Sequence, residues 1–175
     1  MISDNMEMNE EILIYGVKTV FMLLVHILSL IAIGMFMNMM TEGILYILSF
    51  MLLRGYTGGY HTNSNMGCYI LSCISIVAAL YLYKIGVFKN VIINIIICIA
   101  AGIMIYLYSP MEHKNRPLNH AERRIFRKKS IYVYIVEFIF GILSGIIGRS
   151  CQVIIAAIFI NFCAMTGELW HRRIH

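Results

Sequence analysis

Long apolar runs separated by short polar stretches organise this chain. Six can be read: about Ile12 to Met37, Gly43 to Leu53, Cys68 to Tyr83, Val91 to Ser109, Ile131 to Ile147, and Cys151 to Gly167. Runs of this kind are the signature of helices that cross a membrane, which need roughly 20 apolar residues for a ~30 Å core. The second run, GILYILSFMLL, covers only about half that thickness at ~1.5 Å per residue. It therefore reads as a half-helix or a re-entrant piece packed on protein. The pattern predicts an all-α polytopic membrane protein, a single domain over residues 1–175, with one or more helices short or re-entrant. No internal repeat or low-complexity segment interrupts it.

Composition supports that class. Of 175 residues, 60% are hydrophobic and 13% charged, and the mean hydropathy is +0.79. A soluble domain carries about twice that charged fraction. The opening MISDNMEMNEE is acidic, unlike a cleavable signal peptide, which begins with positive charge. Five cysteines, four of them inside apolar runs, argue for reduced thiols and against a disulfide framework. The net charge of +5 does not point to nucleic acid, because the basic residues gather in one place. The segment from Pro110 to Ser130 holds Lys114, Arg116, Arg123, Arg124, Arg127, Lys128 and Lys129, half of all Lys and Arg. The positive-inside rule makes this loop cytoplasmic. Counting back through two apolar runs puts residues 54–68 on the same side. Lys84 and Lys89 would then face outward, a mild violation of the rule.

The stretch RGYTGGYHTNSNMGC, residues 54–68, is the most polar and glycine-rich connection between apolar runs. Cys68 opens an apolar helix, where free backbone N–H groups and the helix dipole favour a thiolate. His61, on the adjacent loop, is the residue type that activates such a thiol. Gly55, Gly58, Gly59 and Gly67 permit turns in which backbone N–H groups could hold an oxyanion. On one straight helix the seven-residue offset would hold His61 and Cys68 about 10 Å apart, whereas proton transfer needs about 3 Å. The segment must therefore bend, and TNSNMG has the composition of a turn.

These residues resemble a known family. The pattern Arg-x-x-x-Gly-Gly-x-His, then Cys after six residues, is read at Arg54, Gly58, Gly59, His61 and Cys68. It is similar to the accessory gene regulator B family of membrane cysteine endopeptidases. A second similarity lies in YSPMEHKNRPL followed by RRIFRKK, and the layout of apolar runs extends the resemblance over almost the whole chain. The resemblance implies cleavage of a small, membrane-associated signal-peptide precursor on its C-terminal side, in the cytoplasm of a Gram-positive bacterium. The acyl group is then cyclised to a thiolactone or lactone used in quorum sensing. It implies Cys68 as nucleophile, His61 as general base and acid, Gly58 and Gly59 shaping the loop, and Arg54 supporting it. The basic residues Arg116, Arg123, Arg124, Arg127, Lys128 and Lys129 would bind an acidic tail on the precursor. Asn63, Ser64 and Asn65 are the candidates to orient His61, and the sequence does not choose among them.

The remaining signals are weaker. His26 and Glu137 are the deepest ionisable residues in the apolar runs and read as helix-packing groups. His171 and His175 lie one helical turn apart without a third ligand, so no metal is expected, and no cofactor motif appears. Expected partners are the precursor peptide and the bilayer, with a second copy covering the short second run. The competing reading is a small peptide transporter or export factor gated by the glycine loop.

Overall fold

The computed structural model describes residues 16–17, 20–21, 24–60, 64–111, 118–147 and 149–174. Six α-helices account for most of the described residues, and there is no strand among them. They are α1 (Leu24–Phe36), α2 (Met40–Thr57), α3 (Asn65–Lys84), α4 (Val91–Tyr108), α5 (His120–Ile147) and α6 (Val153–Ile174). Two 3₁₀ turns, Val87–Lys89 and Arg149–Gln152, lead into α4 and α6.

Local chemistry sets several of these boundaries. Ser64 caps α3, its hydroxyl accepting the N–H of Gly67 at 3.0 Å. Asn90 does the same for α4, accepting from Ile92 at 2.9 Å. The start of α5 carries one half of a capping box: the N–H of Asn119 donates to Glu122 Oε2 at 2.9 Å. That box explains why the basic run is not a loop. Residues 123–129 form the opening turns of a continuous 28-residue helix, whose apolar half begins near Ser130.

The second apolar run also differs from its expectation. α2 is an 18-residue helix about 27 Å long, not a half-helix. It extends beyond the apolar residues at both ends because its terminal polar groups find partners. Glu42 accepts a hydrogen bond from Ser150 Oγ at 2.8 Å, and Thr57 Oγ1 bonds to the carbonyl of Leu53 at 3.0 Å. Three helical stretches, Met66–Lys84, Val91–Tyr108 and Ser150–Arg173, are long and apolar enough to cross a membrane. The expectation of about six apolar helical segments is thus met in part: six helices are present among the described residues, and three of them are clear candidates to cross a membrane. α2 carries Glu42 and Arg54, α5 carries the basic turns, and α1 is a shorter apolar helix.

α6 lies at the centre. Val153 to Ile158 are buried consecutively, on every face of the helix, and α2 packs on it most extensively, followed by α4. The core brings together Tyr46, Leu53, Ile76, Leu80, Phe88, Ile105, Ile155, Ile158 and Met165. On α4 the usual inside–outside pattern is inverted. Asn94, Cys98, Ala101 and Ile105 face inward, while Ile92, Ile96, Ile99, Ile103 and Leu107 are exposed. Asn94 donates to the carbonyl of Phe88 at 2.8 Å, while its own Oδ1 is buried without a partner among the described residues. A stripe of isoleucines facing out is unfavourable in water and natural against lipid tails.

Candidate active site at the α2–α3 connection

The chain leaves α2 through Gly58 and Gly59, whose φ angles of 71° and 129° lie where other residues are strained. Space makes glycine still more necessary. A Cβ at position 58 would collide with the carbonyl oxygen of Met111, and one at 59 would collide with Nη1 of Arg54. Arg54, in the last turn of α2, folds over this connection. Its Nη1 donates to the carbonyl of Gly58 at 2.9 Å, and its Nη2 donates to the carbonyl of Tyr60. One planar guanidinium thus ties down the loop carbonyls on either side of Gly59, a fork that lysine could not reproduce.

Three other tethers fix the same loop. The N–H of Tyr60 donates to the carbonyl of Ala164 on α6 at 3.1 Å, and the N–H of Met111 donates to that of Thr57 at 2.9 Å. Asn161, on α6, donates from Nδ2 to Thr57 Oγ1 at 3.1 Å, and both residues are fully buried. The ring of Tyr60 also meets His171 edge-on, with centroids 5.7 Å apart. The connection is therefore held by α2, α6 and the segment after α4.

Cys68 sits in the first turns of α3, half-buried. It is not the opening residue expected from the sequence. α3 begins at Asn65, and the Cys68 N–H already donates to the carbonyl of Ser64 at 3.1 Å. Its own N–H is therefore unavailable as an oxyanion donor. Arg54 and Tyr60 line one end of a cavity of about 370 Å³ that also includes Cys68. The same cavity runs down α3 past Ser72 and Ser75 and along α6 past Cys163, Ala164 and Gly167. Arg54, Gly58, Gly59 and Cys68 are thus brought together. His61 lies outside the described residues, as do Asn63, Arg116 and His175.

The basic residues stand at the same end of the bundle. Phe126 packs edge-on against Tyr56 at 5.8 Å, and Lys129 Nζ lies 5.5 Å from the Tyr56 ring centre. Arg127 is bound to α4, donating to the carbonyl of Tyr106 at 2.9 Å over the Tyr106 ring. Arg123, Arg124 and Lys128 are exposed on the same helix. The five cysteines are free, and among the described residues no three of His, Cys, Asp and Glu gather as a metal site would require. Sequence reasoning missed the contribution of α6: Asn161, Cys163, Ala164 and His171 all reach this region.

Outward-facing isoleucines, three helices able to cross a bilayer and a thiol that shares a cavity with a half-buried arginine define a helical membrane protein with a candidate thiol site. The chain belongs to the Accessory gene regulator B (AgrB) family, whose model matches residues 1–170. It is 26% identical over 145 residues to an AgrB-like protein of Clostridium perfringens (strain SM101 / Type A), covering 79% of this chain and 68% of the relative. It is 30% identical over 131 residues to an AgrB-like protein of Halalkalibacterium halodurans, covering 74% and 64%. A relative from Lactiplantibacillus plantarum is 23% identical over 141 residues, covering 80% and 69%. No solved structure matches. Family membership connects the chain to the processing of autoinducing peptides.

Proposed function

We propose that this protein is a membrane cysteine endopeptidase that processes a small signal-peptide precursor through an acyl-enzyme on Cys68. The Cys68 sulfur attacks the scissile carbonyl, with His61 taking the thiol proton. His61 then returns that proton to the departing amine, so that the C-terminal fragment leaves and a thioester remains. A thiol or hydroxyl within the retained peptide attacks the thioester and closes a ring. Exchange between thiol and thioester is close to balanced in energy, which suits a cysteine better than a serine for this task.

The observation that carries the reading is the convergence at the α2–α3 connection. Arg54 holds the carbonyls on either side of Gly59, and Arg54, Tyr60 and Cys68 line one cavity. The site lies at the end of the bundle that bears the basic turns of α5, which we take to be the cytoplasmic side. The exposed basic residues there receive the acidic tail of the precursor. The bacterium is Gram-positive on this reading.

The test is co-expression with a candidate precursor, a short amphipathic peptide carrying an internal Cys or Ser and an acidic tail, followed by mass spectrometry. The expected result is a shortened peptide, or an adduct on Cys68, with the native protein and neither with Cys68→Ala or His61→Ala. Equal processing by the Cys68→Ala protein would sink the proposal.

A further inference from the structure

The cavity that starts at Cys68 is larger and more apolar than a thiol site alone requires. From Cys68 it follows α3 to Ala78, ten residues or about 15 Å along the helix axis. Phe50 closes it on the α2 side and Ile160 on the α6 side. Its one charged group, Arg54, lies near Cys68, and beyond it the lining is mostly apolar, with the hydroxyls of Ser72 and Ser75 the polar groups along α3. The volume of about 370 Å³ is more than twice that of an engineered ~150 Å³ protein cavity that takes up benzene.

Its shape indicates how it is entered. Leu71 and Ile74 line it yet are 40% and 58% exposed on the outer face of α3, and Cys163 and Gly167 are exposed on α6. The cavity therefore opens sideways between α3 and α6, into the bilayer. A residue whose carbonyl is within bonding reach of the Cys68 sulfur has its side chain within a few ångströms of this opening. The fragment on the other side of the scissile bond faces Arg54 and water.

We propose that this cavity is the subsite for the acyl half of the substrate, taking large apolar side chains at and just before the residue attacked by Cys68, by lateral entry from the lipid. The inference rests on Cys68 being the nucleophile, and it assigns to the α3–α6 cleft the selection of substrate. A side chain with a charge or no apolar surface leaves the cleft unfilled and is a poor acyl donor. The Gly167 position controls the mouth, because a Cβ there meets nothing within 4 Å. A leucine at 167 has room to enter the cleft without disturbing the helix.

The experiment uses the full chain in lipid vesicles and three reagents: acetyl-leucyl, acetyl-glycyl and acetyl-aspartyl chloromethyl ketone. Each alkylates a cysteine by displacement of chloride from the methylene carbon, with loss of the thiol proton. Labelling at Cys68 is read by mass spectrometry and normalised to Cys73, a half-buried thiol of the same helix outside the cavity lining, which corrects for partition into lipid. The leucyl reagent is expected to label Cys68 at least tenfold faster than the other two. In Gly167→Leu, and separately in Ala164→Leu, that preference should fall to within about twofold while Cys68 still reacts with the glycyl reagent. A flat preference in the native chain, or an unchanged one in both filled variants, overturns the subsite, the latter pointing to lipid partition or a lipid chain in the cleft. Failure of the nucleophile reading is a different result: precursor processing that survives Cys68→Ala.

Discussion

The guanidinium of Arg54 stands in the space that a Cβ at position 59 would need: Nη1 would collide with it and Cζ would lie 3.0 Å away. The absence of a side chain at 59 and the presence of an arginine at 54 are thus one feature. From it follows a non-additive prediction. Gly59→Ala should displace the guanidinium from the Gly58 and Tyr60 carbonyls and lower precursor processing at least tenfold. Arg54→Ala should do about the same, and the double variant should be little worse than either single one, because both remove the same contact. Processing rates from the four proteins test this; losses that multiply would show two separate roles.

Lysine at position 54 should not substitute for arginine. An ammonium can satisfy one carbonyl well, but the two acceptors here are spaced for a planar fork. Arg54→Lys is expected to keep the protein folded while lowering processing several-fold. Charge-assisted hydrogen bonds are worth about 1.5–3 kcal/mol each. Full activity in the lysine variant would mean that charge alone is needed there.

The pair formed by Asn161 and Thr57 joins α6 to the last residue of α2, inside the core. Asn161→Leu keeps the volume but removes the side-chain hydrogen bonding from α6 to Thr57, of which the donation from Nδ2 is the shorter contact. Thr57 retains its bond to Leu53, so the loss is one hydrogen bond of about 1 kcal/mol. For a chain of this size that corresponds to a fall of roughly 2–4 °C in the unfolding midpoint. Processing should fall more than stability does, since Thr57 directly precedes the glycine turn. Thermal unfolding in detergent and processing assays on the same preparation would check the comparison.

How much of this was legible before the structure differs from residue to residue. Arg54, Gly58, Gly59 and Cys68 declare themselves because the connection is local and its spacing is short. α2 was misread as short because hydropathy registers Arg54 and Thr57 as the end of a run. It cannot register that one polar group bonds forward to loop carbonyls and the other back to Leu53. The basic run was misread as a loop because charge masked the Asn119–Glu122 box. The part played by α6 was least accessible, since Asn161 and Thr57 are 104 positions apart. A faint signal did exist: Asn161 and Glu168 lie two helical turns apart on one face of an otherwise apolar run, where polar groups need a reason.

The exposed basic residues on α5 make a prediction about binding. Arg124 and Lys128 are four apart, on one face of the helix, and both are exposed. Arg127 and Lys129 are instead engaged with Tyr106 and Tyr56. If the acidic tail of the precursor docks here, Arg124→Glu with Lys128→Glu should raise KM several-fold and leave kcat nearly unchanged. The effect should shrink as salt is raised from 0.05 to about 0.5 M, because exposed charges are screened over ~10 Å or less. Arg127→Ala should behave differently, lowering stability with little salt dependence. A KM unmoved by the double reversal would remove these residues from substrate binding and leave them as determinants of orientation in the membrane.

Glu137 is buried between α5 and its neighbours, and neither of its carboxyl oxygens has a hydrogen-bond partner among the described residues. Ser49, buried on α2, is the polar neighbour of that carboxyl, yet its hydroxyl too falls outside hydrogen-bond geometry. A polar group taken out of water without a partner costs about 1–3 kcal/mol. An apolar side chain of similar size should therefore be an improvement. Glu137→Met is expected to raise the unfolding midpoint by a few degrees, whereas Glu137→Gln, which keeps two unpartnered polar atoms, should stay close to the native value. Ser49→Ala should also be neutral or stabilising. Processing should be unchanged in all three, because Glu137 is about seven residues, or ~10 Å along α5, from the Ser130 level where the basic turns end. A methionine variant that is more stable yet inactive would change the assignment: the carboxyl would then be retained for a step in the reaction cycle, in the way that costly polar groups inside membranes commonly are.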